Sequence, residues 1–210
     1  MTALHAAAPV HPARSCADGV ALADGTEREA LRHAMQQLNE AETLAGVHQP
    51  AALCHALTEA ARALAGLQAY APAESYLAQA LRWATVIGSA DLRADLQCAL
   101  AEVATNLADL AQLRGDTGAT GRRARDRARD HAFEAARLAG QTADSHCEVK
   151  LLLRASDVLD RCGDHDDAVL MQLRALELMG LAHPDLPADP AASPQPGNAA
   201  FQMTAPSALM

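Results

Sequence analysis

The chain has 210 residues, half of them apolar, yet only 2% are aromatic. Its formal net charge of −9 argues against nonspecific binding to nucleic acid or to an anionic membrane surface. Alanine, the best helix former, supplies about a quarter of the residues, while the Val, Ile, Thr and aromatic residues of a sheet are sparse. The composition therefore speaks against a β-rich fold and predicts an all-α one.

Residues 1–24 mix Ala, Pro, His and Gly without periodicity and are expected to form a disordered tail. The N-terminus has no basic region and no long apolar stretch, so no secretory signal is expected. No apolar run reaches the roughly 18 residues of a membrane span. A repeat domain is expected over 25–182. Its helices are predicted over 26–45, 50–66, 72–87, 90–114, 120–139, 142–162 and 165–180. The start signals are a Thr26/Glu29 capping box, Pro50 and Pro72 in first turns, and Ser89, Thr117, Thr142 and Asp164 as caps. The stop signals are Gly46, Gly66, Gly88, Gly115, Gly140, Gly163 and Gly180, each expected to take the left-handed conformation past a helix end. Prolines 184, 187, 190, 194, 196 and 206 forbid a helix over 183–210, which is expected to be a second disordered tail.

Gly46, Gly88, Gly140 and Gly180 define a repeat with steps of 42, 52 and 40 residues. Twelve residues before each stands Ala34, Tyr76, Ala128 or Ala168, and five before stands Ala41, Trp83, Ala135 or Ala175. The longer step carries Gly115–Gly121, which reads as a flexible loop. Apolar stripes run along two of the helices. One is Val149, Leu152, Leu153, Ser156 and Leu159; the other is Leu92, Leu96, Ala99, Leu100, Val103 and Leu107. One such hairpin cannot bury its apolar face alone, whereas stacked hairpins can.

The last hairpin, with Leu152, Ala155, Ser156, Leu159, Gly163-Asp164, Ala168 and Ala175-Leu176, resembles a tetratricopeptide repeat. The hairpin at 53–87 is similar through Leu57, Ala60, Ala61, Ala73, Leu77 and Ala80. The period near 40 is closer to the longer repeats of bacterial signalling and regulatory proteins. The resemblance implies about seven helices stacked as antiparallel hairpins, an α-solenoid. It also implies a groove lined by Thr58, Arg62, Gln97, Ala101, Lys150, Arg154 and Asp157.

No motif of nucleotide binding or nucleophilic catalysis is present, so no enzyme activity and no catalytic residue is expected. Cys16, Cys54, Cys98, Cys147 and Cys162 are odd in number and widely spaced, which suits reduced thiols in the cytoplasm. With the nine histidines they show no metal-ligand spacing, so neither a metal nor another cofactor is expected. Asp164–Asp167 reads as an acid-rich helix start or a cation site. Arg122, Arg123, Arg125 and Arg129 form the one basic cluster: either a solvated helix face, with Arg122 and Asp126 paired at i,i+4, or a docking patch for an acidic partner.

The expected function is non-catalytic binding of a protein or peptide partner in the helical groove, with no nucleic acid and no membrane involved; a homodimer is left open. The first alternative is a regulatory or sensory module acting with a separate cyclase, kinase or transcription regulator. The second is a plain bundle with a small-molecule or metal site.

Overall fold

The computed structural model describes residues 25–44, 49–116 and 118–181; the two expected tails, Gly46 and Thr117 lie outside them. Among the described residues the chain is all-helical. It runs through α1 (Gly25–Leu44), α2 (Pro50–Gly66), α3 (Tyr70–Ile87), α4 (Ala90–Leu113), α5 (Ala119–Ala139), α6 (Ser145–Cys162) and α7 (His165–Leu178). The most extensive contacts join α2 to α3, α4 to α5 and α6 to α7, the partners within each hairpin. Lesser contacts join α1 to α2, α3 to α4 and α5 to α6, and α4 also touches α6. The chain is thus three stacked hairpins led by a single helix. α1 sits on α2 as α3 sits on α4, so it occupies the place of a preceding hairpin's second helix.

Local chemistry accounts for most of the boundaries. Pro50 opens α2 where its missing N–H costs nothing. The Ser89 hydroxyl accepts from the Leu92 N–H at 3.2 Å and caps α4. Gly88 (φ 79°) and Gly163 (φ 92°) take the left-handed conformation that a side chain resists, and they stop α3 and α6. Gly115 and Gly180 are left-handed as well.

Other expected signals are displaced. Gly66 belongs to the last turn of α2, and the left-handed residue of that turn is Gln68 (φ 57°). Gly140 stays right-handed at φ −67° because Gln141 and Thr142 continue the turn by bonding back to the carbonyls of Leu138 and Ala139. Asp144, not Thr142, caps α6, accepting from the His146 N–H at 3.0 Å. α1 begins at Gly25, which puts Thr26 inside its first turn.

Small residues set the hairpin crossings. Ala73 and Ala80 on α3, Ala128 and Ala135 on α5, and Ala168 and Ala175 on α7 are seven apart on their helices and at most 1% exposed. α1 repeats the pair with Ala34, buried, and Ala41, half-buried. Burial therefore corrects the glycine-anchored frame: in α3 the equivalent residues are Ala73 and Ala80, not Tyr76 and Trp83. The steps from Ala34 to Ala73, Ala128 and Ala168 become 39, 55 and 40 residues.

The long step is not a loop insertion. Only 114–118 separate α4 from α5, and the extra residues lengthen both helices. Gly121 lies within α5, buried; a Cβ there would meet the Asp116 carbonyl oxygen at 3.5 Å and the Ala111 Cβ at 3.6 Å. That glycine packs the start of α5 closely against the last turns of α4.

Candidate functional site

Three first helices, α2, α4 and α6, frame a cleft of about 340 Å³. Its floor is apolar, made by Ala61 and Ala65 of α2, Leu77 of α3, and Ala99 and Val103 of α4. Its walls carry Thr58 and Arg62 from α2, Asp95 and Glu102 from α4, and Lys150 and Arg154 from α6. Four of the residues expected to line the groove, Thr58, Arg62, Lys150 and Arg154, thus come together. The other three do not line the cleft. Gln97 turns to α5, where its amide oxygen lies 2.7 Å from His131 Nδ1. Ala101 is fully buried between helices. Asp157 is exposed outside the cleft.

Arg154 is not a free cation. Its Nε donates to Glu102 Oε1 at 2.7 Å and its Nη1 to Asp95 Oδ1 at 2.5 Å. Burial works to lower the guanidinium's pKa, but the hydrogen bond and charge of Glu102 outweigh it and hold the pKa above the ordinary arginine value. Asp95 and Glu102 were not singled out in the sequence. The usable signal is their spacing: two acids seven apart on α4 share one face, and a basic residue on a neighbouring helix can bridge them. Thr58 donates to the Cys54 carbonyl at 2.8 Å, which leaves its hydroxyl oxygen as an acceptor. Arg62 is 66% exposed and, among the described residues, pairs only within α2, with Glu59. Lys150 is exposed and makes no ion pair among the described residues.

The basic run on α5 is divided between tethers and solvent. Arg125 bonds Gln112 of α4. Arg127 makes a two-pronged bond to Glu74 of α3, at 2.8 and 3.2 Å. Arg129 bonds Asp164 and the Cys162 carbonyl. Arg122 and Arg123 are exposed, and Asp126 lies 3.5 Å from Arg129 where a pair with Arg122 was expected. Asp164 flanks α7 but makes no side-chain cap bond; its carboxylate holds Arg129 across the hairpin interface instead.

The buried thiols are seated against helix carbonyls. Cys54 donates to Ala80 O at 3.3 Å and Cys98 to Leu151 O at 3.7 Å. Burial pushes the Cys98 thiol up to about 12 and raises Cys54 and Cys162 as well, so these thiols stay protonated and unreactive. Burial also lowers the pKa of His131. Among the described residues no group of three or more His, Cys, Asp or Glu side chains is placed to hold a metal ion, and no helix is long and apolar enough to cross a membrane.

A second groove, of about 700 Å³, lies at the C-terminal end of the stack. Val149 and Leu153 of α6 face Leu178 and Met179 across it, with Lys150 and Arg154 on the ridge it shares with the first cleft.

No family model and no curated protein matches the chain. Among solved structures, the crystal structure of BtubC (BKLC) from P. vanneervenii is similar over 87% of this chain and 82% of its own, with 17% identity and a TM-score of 0.35.

Proposed function

We propose that the chain is a non-catalytic, tetratricopeptide-like interaction module that seats a peptide or partner helix in the cleft between α2, α4 and α6. The observation that carries this reading is the convergence of Thr58 and Arg62 of α2 with Lys150 and Arg154 of α6 around one apolar floor. A floor of small apolar side chains beneath a few polar groups suits an extended or helical segment better than a reaction centre.

The roles of the wall residues differ. Arg154, already held by Asp95 and Glu102, fixes the shape of the cleft. Arg62 is the adaptable group: an exposed pair with Glu59 is worth at most about 1 kcal/mol and exchanges readily for an acidic group on a partner. Thr58 offers an acceptor beside it. The partner is thus a segment with an apolar side chain for the floor and a carboxylate within reach of Arg62. The cytoplasm is the compartment that suits Cys54, Cys98, Cys147 and Cys162, all of them free thiols.

A photo-crosslinking residue at Thr58, with Phe133 on α5 as the control position, tests the cleft in cells of the native host. Adducts to a discrete partner are expected from position 58 and not from 133. They are expected to disappear in an Arg62→Glu chain of unchanged helicity. Identical adducts from both positions, or adducts that survive Arg62→Glu, would remove the cleft from the binding surface.

A further inference from the structure

The two ends of the stack are finished differently. At the N-terminal end, the exposed side chains of α1 are polar apart from Ala30, among them Glu29, Arg32, His33, Gln36 and Glu40. That is how a repeat array closes against water. At the C-terminal end, the groove of about 700 Å³ is lined by apolar side chains. Val149 is buried in it, while Leu153 and Met179 are 43% and 45% exposed.

Inside the stack the equivalent groove is filled. Leu138 and Ala139 of α5 stand 40 residues before Leu178 and Met179, the step that also relates Ala128 to Ala168. With Ala94 and Cys98 of α4, they share one buried cluster with Leu151 of α6. The first helix α6 thus lies in the groove left by α4 and α5. The groove left by α6 and α7 is the same seat one hairpin later.

The chain leaves α7 at the rim of this seat, because Met179 lines the groove and Gly180 and Leu181 follow at once. Pro184, Pro187, Pro190, Pro194 and Pro196 rule out another long helix directly after it. From 190 to 210 there is no Asp, Glu, Lys or Arg, in a chain that is 20% charged. Phe201 and Met203 lie in that uncharged stretch, two residues apart, and in an extended segment such residues share a face.

We propose that residues 199–203 of this same chain close the groove, with Phe201 seated among Val149, Leu153, Leu178 and Met179 and Met203 beside it. Three observations select this occupant. A proline-rich linker reaches about 3 Å per residue, so the stretch from Leu181 to Phe201 spans the groove with length to spare, and the tether holds the segment at an effective concentration on the order of millimolar. An uncharged segment gives up no ion hydration on entering an apolar groove. A second copy stacked head to tail would instead present α1, which holds the place of a second helix, and would leave the seat of the first helix unfilled.

A photo-crosslinker at Leu153 of the purified full-length chain reports the occupant directly, with Leu170, exposed on α7 away from the groove, as the control position. Adducts to residues 199–203 within one chain are expected from position 153 and not from 170, at a yield independent of protein concentration. Phe201→Asp is expected to lower that yield on the order of ten-fold with unchanged helicity, and Leu209→Asp to leave it unchanged. In the unlabelled chain, the Phe201→Asp substitution is expected to shift the methyl resonances of Val149 and Leu153 and not those of Val86. Adducts that join two copies, a yield that rises with concentration, equal adducts from both positions, or no adduct at all would overturn the proposal. So would adducts or methyl resonances indifferent to Phe201→Asp. These variants leave Arg62 and Thr58 untouched, so the outcome is separate from that of the cleft.

Discussion

The junction of α4, α5 and α6 and the outer face of α7 use the same residue types to opposite effect. In the junction, Ala101, Ala104, Ala128, Ala132 and Ala155 are fully buried, and the helices approach closely enough for arginines to reach across them. Arg154 spans α6 to α4, Arg161 bonds Asn106 and Asp109 of α4, and Arg129 spans α5 to the start of α7. On α7 the alanines again face inward, but the large aliphatic side chains Val169, Leu170, Leu173 and Leu176 face out. The lesson is a division of labour. Small residues set the distance between helices, arginines set the order of the hairpins, and large aliphatic residues stabilise only where something covers them.

The sharpest way to break this comparison is the same deletion on each side of it. Leu159 is fully buried, so Leu159→Ala is expected to cost about 2–5 kcal/mol. Leu173→Ala, measured on the monomer, is expected to stay within about 0.5 kcal/mol of the parent. Urea unfolding midpoints of the two variants give the contrast, and equal losses would mean that the face of α7 is already covered within the chain.

A smaller effect tests the ionic ties. Arg154→Ala leaves Asp95 and Glu102 seven apart without a counter-charge. The Arg154 side chain is 26% exposed, so the loss after solvent screening is expected to be about 1 kcal/mol. Molar salt should shrink the difference from the parent; a loss independent of salt would assign Arg154 to packing alone.

The smallest effect is a pH slope. The pKa of His131 is lower in the fold than in the unfolded chain because burial disfavours its charged form. The unfolded chain therefore binds the extra proton first as the pH falls. The His131 contribution is fully present above the unfolded value near 6.5 and is lost as the pH drops through the folded value. A His131→Gln chain should show a flatter fall of melting temperature from pH 7 to 5 than the parent; an identical fall would leave His131 without a part in it.

Much of the fold was legible in the chain, because helix formation is a local matter. The alanine content, Pro50 and Ser89 placed most helix boundaries within a few residues of their observed positions. The repeat was legible as well, but its frame was read from the wrong mark. A glycine records where a helix stops, while hairpin equivalence is set by the crossing, and α3 runs past its crossing farther than α7 does. Gly121 misled for a related reason: an isolated glycine reads as a loop unless a second helix is known to lie against it.

The candidate cleft was half legible. Helical periodicity places Thr58 and Arg62 on one face of α2 and Lys150 and Arg154 on one face of α6, and these faces converge. Periodicity could not show that Gln97 turns to His131, because α4 is buried on more than one side. Nor could it show that Arg154 is held by Asp95 and Glu102, whose carboxylates are 59 and 52 residues away along the chain.

The sequence by itself therefore determined the class, the helices and the small-residue spacing, since each depends on residues within two or three turns of one another. Tertiary structure alone decided which arginines are tethers and which are free, where the stack ends in polar groups, and where it leaves leucines facing water. Those properties depend on which helix lies opposite, and that choice is made by packing across the whole stack.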